Sequence, residues 1–221
     1  MSAKSANKET LTDYAYKYIK DKIQNCDYMP GQLIYENQFN EDLNIGRTPI
    51  REALLKLSNE GLITIFPRKG MQINPIEKKK VKELYQVRKL LEPAVIQEYK
   101  AMYPKDILLN YEQELAEYEL NRENSLETDK AFYNMDIRFH SFFIEYTQNQ
   151  MLIRMYNSVM ECQYRLAIYG AKIKSTNRQH NYQQHLDIIR AVCAEDDEAI
   201  HQALLKHINY SLITLLRTLE L

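Results

Sequence analysis

Glycine is scarce in this sequence, with five in 221 residues. Neither G-x-G-x-x-G nor a Walker-type G-x-x-x-x-G-K occurs, so no Gly-rich phosphate loop can be placed. That weighs against a nucleotide-binding α/β fold and in favour of a mostly helical protein. Cysteine is equally sparse. Cys26, Cys162 and Cys193 are odd in number, far apart, and form no C-x-x-C pair. A disulfide framework and a Cys-rich zinc finger are therefore not expected, and each cysteine reads as a small core residue. No run of 18 apolar residues is present, so no membrane span is expected. The leading MSAKSANKETLTDY lacks an apolar segment of the secretory kind, which points to a soluble, cytoplasmic protein. Residues 1–8 are polar and are expected to be unstructured. An excess of one charge is missing too: 29 basic against 30 acidic residues give a net charge of −1. A polycation that coats nucleic acid is excluded, and any nucleic-acid site must be a local patch.

Hydrophobic residues make up 45% and charged residues 27%, which is enough for a buried core. The length suits two small domains. Apolar positions Leu11, Tyr14, Ala15, Tyr18, Ile19 and Ile23 recur at helical spacing over residues 10–25. Pro30-Gly31 marks a turn, and a short second helix fits Glu36 to Leu43. Asn44-Ile45-Gly46 is a tight connection. Thr48 reads as the N-cap of a third helix, with Pro49 at its first position. The face Ile50, Ala53, Leu54, Leu57 follows i, i+3, i+4, i+7, and Gly61 ends the helix. Two β-prone runs, Leu62 to Phe66 and Met71 to Ile73, flank the charged turn Pro67-Arg68-Lys69-Gly70. Helix, helix, turn, helix, hairpin is the winged helix-turn-helix order, placed in residues 9–75.

Residues 76–221 show no strand-like alternation. Six helices are expected, at roughly 77–102, 104–122, 126–148, 149–172, 176–195 and 197–220. The breaks fall at Pro104, NREN, Asn149, KIKST and Asp196-Asp197. The fold class is thus mainly α, an N-terminal winged helix-turn-helix followed by an all-α six-helix bundle.

Two constellations carry chemistry. With the apolar face turned inward, Arg47 and Arg51 share another face at the start of the third helix. A helix N-terminus attracts phosphate, and arginine donates in bidentate fashion to guanine O6 and N7. Thr48 lies at the same end, and Arg68, Lys69 and Gly70 form a turn able to approach a DNA backbone. The basic run Lys78-Lys79-Lys80 follows at the start of the first body helix. The second constellation starts at Asp136 and His140, spaced i, i+4 beside the stripe Met135, Phe139, Phe142, Tyr146. His185 and His207 lie on the last two helices. Three imidazoles and a carboxylate suit a divalent first-row ion such as Zn²⁺, Ni²⁺ or Mn²⁺. Spacing alone also fits ordinary core or surface residues, since i, i+4 Asp/His pairs are common. As a metal set it leaves positions open for a ligand, and no H-E-x-x-H glutamate supplies the general base of a catalytic centre.

The segment PGQLIYENQFNEDLNIGRTPIREALLKLSNEGLITIFPRKGMQIN resembles the GntR-type winged helix. The matching residues include Pro30-Gly31, Leu33, Glu36, Leu43, Arg47 to Leu54, Leu57, Gly61-Leu62 and Gly70. The resemblance implies that Arg47, Thr48 and Arg51 contact DNA and that Gly70 sits at the wing tip. Gly46 stands where the family usually has Ser or Thr. The body resembles the FCD effector domain of the FadR subfamily through VRKLLEPAV, Asp136-x-x-x-His140, Asn149, His185, Asp197 and His207. Six helices match its shorter, VanR-like branch. The resemblance implies metal ligation by Asp136, His140, His185 and His207, and a small organic acid as effector. Arg88 and Arg165 are candidate partners for that acid, with an Arg88–Glu92 ion pair at i, i+4 as the alternative for Arg88. His180 and His201 match no ligand position and read as surface residues. The expected protein is a homodimeric, ligand-responsive transcription regulator on a palindromic double-stranded operator. An enzyme acting on a small acid and a metal-sensing regulator stand as the alternatives.

Overall fold

The computed structural model describes residues 10–120, 123, 125–173 and 179–219. The expectation for residues 1–8 lies outside them, as do most of NREN and the Lys174-Ser175-Thr176 part of KIKST. The chain divides into two compact units, with the boundary between Ile76 and Glu77.

In the first unit, α1 (Leu11–Gln24) is capped by Thr10, whose side chain accepts from the Asp13 amide. Strand β1 (Leu33–Ile34) precedes α2 (Glu36–Leu43) and α3 (Arg47–Asn59). Gln38 reaches back to the Tyr35 amide at 2.9 Å and closes the start of α2. Asn44 ends α2 in the left-handed conformation at φ 51°, a state asparagine tolerates. Strands β2 (Ile63–Phe66) and β3 (Gly70–Ile73) form the hairpin. The sheet order is β1-β3-β2, all antiparallel, with Ile34 opposite Met71 and Thr64 opposite Gln72. Ile19, Ile23, Ile34, Phe39, Ile50, Leu57 and Ile73 are fully buried and form one core. The inward face expected for α3 is the face that is buried.

Three local readings change. Gly46, not Thr48, is the N-cap of α3, so Thr48 and Pro49 lie inside the first turn. Gly46 is extended, the helical conformation begins at Arg47, and Pro49 at the third position still needs no amide partner. Strand β1 has only two residues, too few for alternation to register. Gly70 is not at the tip but opens β3. Its φ is +93°, and a Cβ there would lie 2.9 Å from the Ile34 carbonyl oxygen and from the Tyr35 ring. Glycine is required on both counts.

The second unit contains α4 (Lys78–Tyr99), a 3₁₀ turn over Lys100–Met102, α5 (Lys105–Leu120), α6 (Leu126–Glu145), α7 (Gln150–Ile173), α8 (Gln179–Cys193) and α9 (Asp197–Thr218). Ser125 caps α6 and Asp196 caps α9 through the amides of Thr128 and Ala199. Helix α4 packs most extensively on α9, α6 on α7, and α8 on both α9 and α5. An aromatic cluster of Tyr103, Tyr111, Phe139, Phe142 and Phe143 meets edge-on and tilted, with centroids 5.0–5.8 Å apart. Of the three cysteines expected in the core, only Cys26 is buried. Cys162 lies on the outer face of α7, and Cys193 is partly exposed. A cysteine carries too little hydrophobic area to decide which way its helix turns. No helix among the described residues is long and apolar enough to cross a membrane.

Candidate functional site

Three helices of the second unit bring one constellation together. Asp136 and His140 come from α6, His185 from α8 and His207 from α9, and all four are buried. One donor atom from each lies within 4.8 Å of the other three. His140 Nε2 is 3.1 Å from His207 Nε2, and His185 Nε2 is 2.9 Å from Asp136 Oδ1.

The outward nitrogens explain what the inward ones present. His140 Nδ1 lies 2.9 Å from Glu92 Oε2. His185 Nδ1 lies 2.7 Å from the Asn181 carbonyl oxygen, and His207 Nδ1 3.3 Å from Gln184 Oε1. Carboxylate and carbonyl oxygens only accept, so each Nδ1 carries the proton. With Nδ1 turned outward, each ring presents its Nε2 to the centre. Three imidazole nitrogens and a carboxylate converge in one buried space. The donor set thus fits a divalent ion, and the outer acceptors fix ring orientation as metal-binding histidines require.

Electrostatics agree with this assignment. Burial, then the charge of His185, His140 and Arg88, pushes His207 well below its ordinary pKa and keeps it neutral. Burial opposes ionisation of Asp136, but hydrogen bonding to His185 and the charge of His140, His185 and Arg88 outweigh it and hold the carboxyl at about 2. Glu92 is likewise kept ionised: burial works against it, and Arg88 and His140 more than offset that.

Glu92 is the hub behind the centre. Arg88 Nε donates to its Oε1 at 2.5 Å, and Tyr156 Oη donates to the same oxygen at 2.9 Å. Arg88 and Glu92 are both wholly buried. Arg165 is buried on α7. A cavity of about 50 Å³ opens beside Asp136, and neither arginine lines it. Sequence spacing did not reveal Asn181, Gln184, Tyr156 or Gln163 as site residues. Glu92 was visible only as the i+4 partner of Arg88. Gln184 adjoins His185 in the chain, yet only the packing of α8 on α9 aims it at His207. His201 is half-exposed on α9, and the side chain of His180 lies outside the described residues.

The first unit presents a second surface. Arg47, Thr48 and Arg51 are exposed on the first turn and a half of α3. That helix has no side-chain cap and no acidic residue in its first turn, so its leading amides are available to an anion. Arg51 Nε donates to both carboxylate oxygens of Glu36, at 2.9 and 3.0 Å. Arg68, at φ 63°, and Lys69 are exposed on the β2–β3 turn. Lys78, Lys79 and Lys80 are exposed at the start of α4.

Comparison with known proteins gives two family matches. The model for bacterial regulatory proteins of the gntR family matches residues 11–73, and the FCD domain model matches residues 83–210. The chain is 27% identical to the HTH-type transcriptional regulator YdhC of Bacillus subtilis, over 93% of this chain and 91% of that protein. It is 26% identical to the HTH-type transcriptional repressor RspR of Escherichia coli, over 90% and 86%. Among solved structures, a GntR transcriptional regulator from Rhodococcus sp. RHA1 aligns with a TM-score of 0.74 at 20% identity, covering 93% of this chain and 97% of that one. E. coli McbR/YncC aligns with a TM-score of 0.72 at 18% identity, covering 95% and 98%. These two structures share the fold.

Proposed function

We propose, for a chain that belongs to the GntR family of bacterial regulators and carries the family's FCD domain, a metal-dependent response to a small organic acid. Membership makes it a ligand-responsive, DNA-binding transcription regulator. The families and named relatives are regulators, not enzymes. The finer reading is that a homodimer in the cytoplasm binds a palindromic operator, each α3 entering a major groove. Arg47, Thr48 and Arg51 contact bases and phosphates, while Arg68 and Lys69 hold the backbone beside them. Gly70 serves that contact by shaping the turn.

In the FCD domain, Asp136, His140, His185 and His207 would hold Zn²⁺, Ni²⁺ or Mn²⁺. The bound ion would supply an electrophilic centre for the acid's carboxylate. The convergence of three Nε2 atoms on Asp136 carries this reading. Arg88 acts through Glu92, which orients His140. Arg165 remains a candidate for the acid's outer edge. Effector binding changes DNA affinity only if the acid binds one arrangement of the dimer better than another. Operator affinity measured with chelator, with metal, and with metal plus acid tests the scheme. A change only in the third condition is expected. A full response to metal alone would make the ion itself the signal.

A further inference from the structure

The cavity beside Asp136 contains two hydrogen-bond acceptors with no donor among the described residues. Gln163 is buried on α7 and donates through Nε2 to Tyr85 Oη at 3.1 Å, yet its Oε1 has no hydrogen-bond partner. Asn181 Oδ1 is also buried and unpartnered. Both residues line the cavity. A buried acceptor without a donor is costly, and a ligand that donates to it relieves that cost. Among the described residues lining the cavity, Asp136 is the one charged group, and none is a lysine or arginine. A second carboxylate on the ligand would meet no cation among these described residues. An ammonium would meet no carboxylate beyond the one committed to the centre. The cavity, at about 50 Å³, has room for only a few water-sized atoms, roughly three to five. Ser211 and Thr214 add hydroxyls that donate or accept as needed.

We infer that the effector is a short hydroxylated monocarboxylate. Its carboxylate faces the metal centre, and its hydroxyls donate to Gln163 Oε1 and Asn181 Oδ1. This deepens the acid-effector reading and rests on it. A site built to hydrogen-bond a hydroxyl rejects the analogue lacking it far more strongly than a hydrophobic site rejects one methylene.

The test is calorimetric titration of the full-length, Zn²⁺-loaded protein with glycerate, lactate, propionate, alanine and malonate. Glycerate is expected to bind at least about tenfold more tightly than propionate, with lactate between them and malonate and alanine weakest. In the Gln163→Met variant the preference for glycerate over propionate should fall about tenfold, with propionate affinity and zinc stoichiometry unchanged. Should that variant lose zinc or fold, Asn181→Ala provides the same comparison at a partly exposed position. Equal binding of glycerate and propionate, a preference for malonate, or undiminished selectivity in the variants overturns the inference. Zinc binding with no affinity for any acid overturns the acid-effector reading itself, an outcome distinct from loss of hydroxyl selectivity.

Discussion

Glu92 takes hydrogen bonds or ion-pair contacts from Arg88, Tyr156 and His140 in a space sealed from water. A carboxylate so placed is a strong constraint on the imidazole it faces. Glu92→Gln is therefore expected to lower metal affinity by about 10–100-fold, measured by competition with a chelating dye. Unchanged affinity would separate Glu92 from the centre. Arg88→Met leaves that carboxylate buried without its cation. The expected loss of stability is about 3–5 kcal/mol in urea denaturation. On the DNA side, Arg51 is held by Glu36 through a single nitrogen, and its side chain is 64% exposed. Such an exposed pair contributes little to stability. Arg51→Ala should leave the folded unit intact and remove about 1–3 kcal/mol of discrimination between operator and non-operator DNA. Unchanged discrimination in a mobility-shift assay would reject α3 as the reading helix.

At the scale of elements, the wing depends on one glycine and the bundle on one seam. Gly70 lets β3 pass against Ile34 and Tyr35 at a φ closed to other residues. Gly70→Ala should destabilise the first unit by about 1–3 kcal/mol, read as a lower melting temperature. Its effect on DNA binding should then track the folded fraction. Lys69→Ala, by contrast, should spare stability and reduce the salt slope of operator binding by about one unit, as expected for a lysine that pairs with a phosphate. In the bundle, α8 and α9 pack side by side. That seam sets His185 against His207, with ring centroids 4.5 Å apart. Phe132 and Phe139 close the inner wall around His185 at 6.1 and 5.1 Å. Of the two, only Phe139 belonged to the stripe read from the sequence, Met135, Phe139, Phe142 and Tyr146, and Phe142 and Tyr146 of that stripe are only partly buried.

For the whole molecule, a chelator separates the two units experimentally. A bound ion stabilises only the fold that binds it, by about 2.7 kcal/mol when metal stands a hundredfold above its dissociation constant. Chelation should lower the calorimetric transition of residues 77–221 and leave that of residues 10–76 in place. A shift of both transitions would mean that the units melt as one. The near-neutral net charge also takes on meaning at this scale. Residues 1–75 carry ten basic and nine acidic side chains, so in the proposed reading DNA affinity would depend on where Arg47, Arg51, Arg68 and Lys69 stand rather than on their number.

The order of the helices and the hairpin and the inward face of α3 were determined by the chain alone. Helical periodicity is a local property, and it survives any arrangement of the helices. Asp136, His140, His185 and His207, by contrast, were read from a family resemblance, and only the packing of α6, α8 and α9 gathers them. Sequence could not specify which side chains stand behind those four residues. Asn181 and Gln184 reach their histidines because α8 carries one turn against itself and one flank against α9. Gln163 and Asn181 share a cavity although 18 positions separate them. Two-residue β1 and the place of Gly70 belong to the same class, since both exist only through pairing with β3. Burial and hydrogen-bond partners are non-local, and tertiary packing decided them.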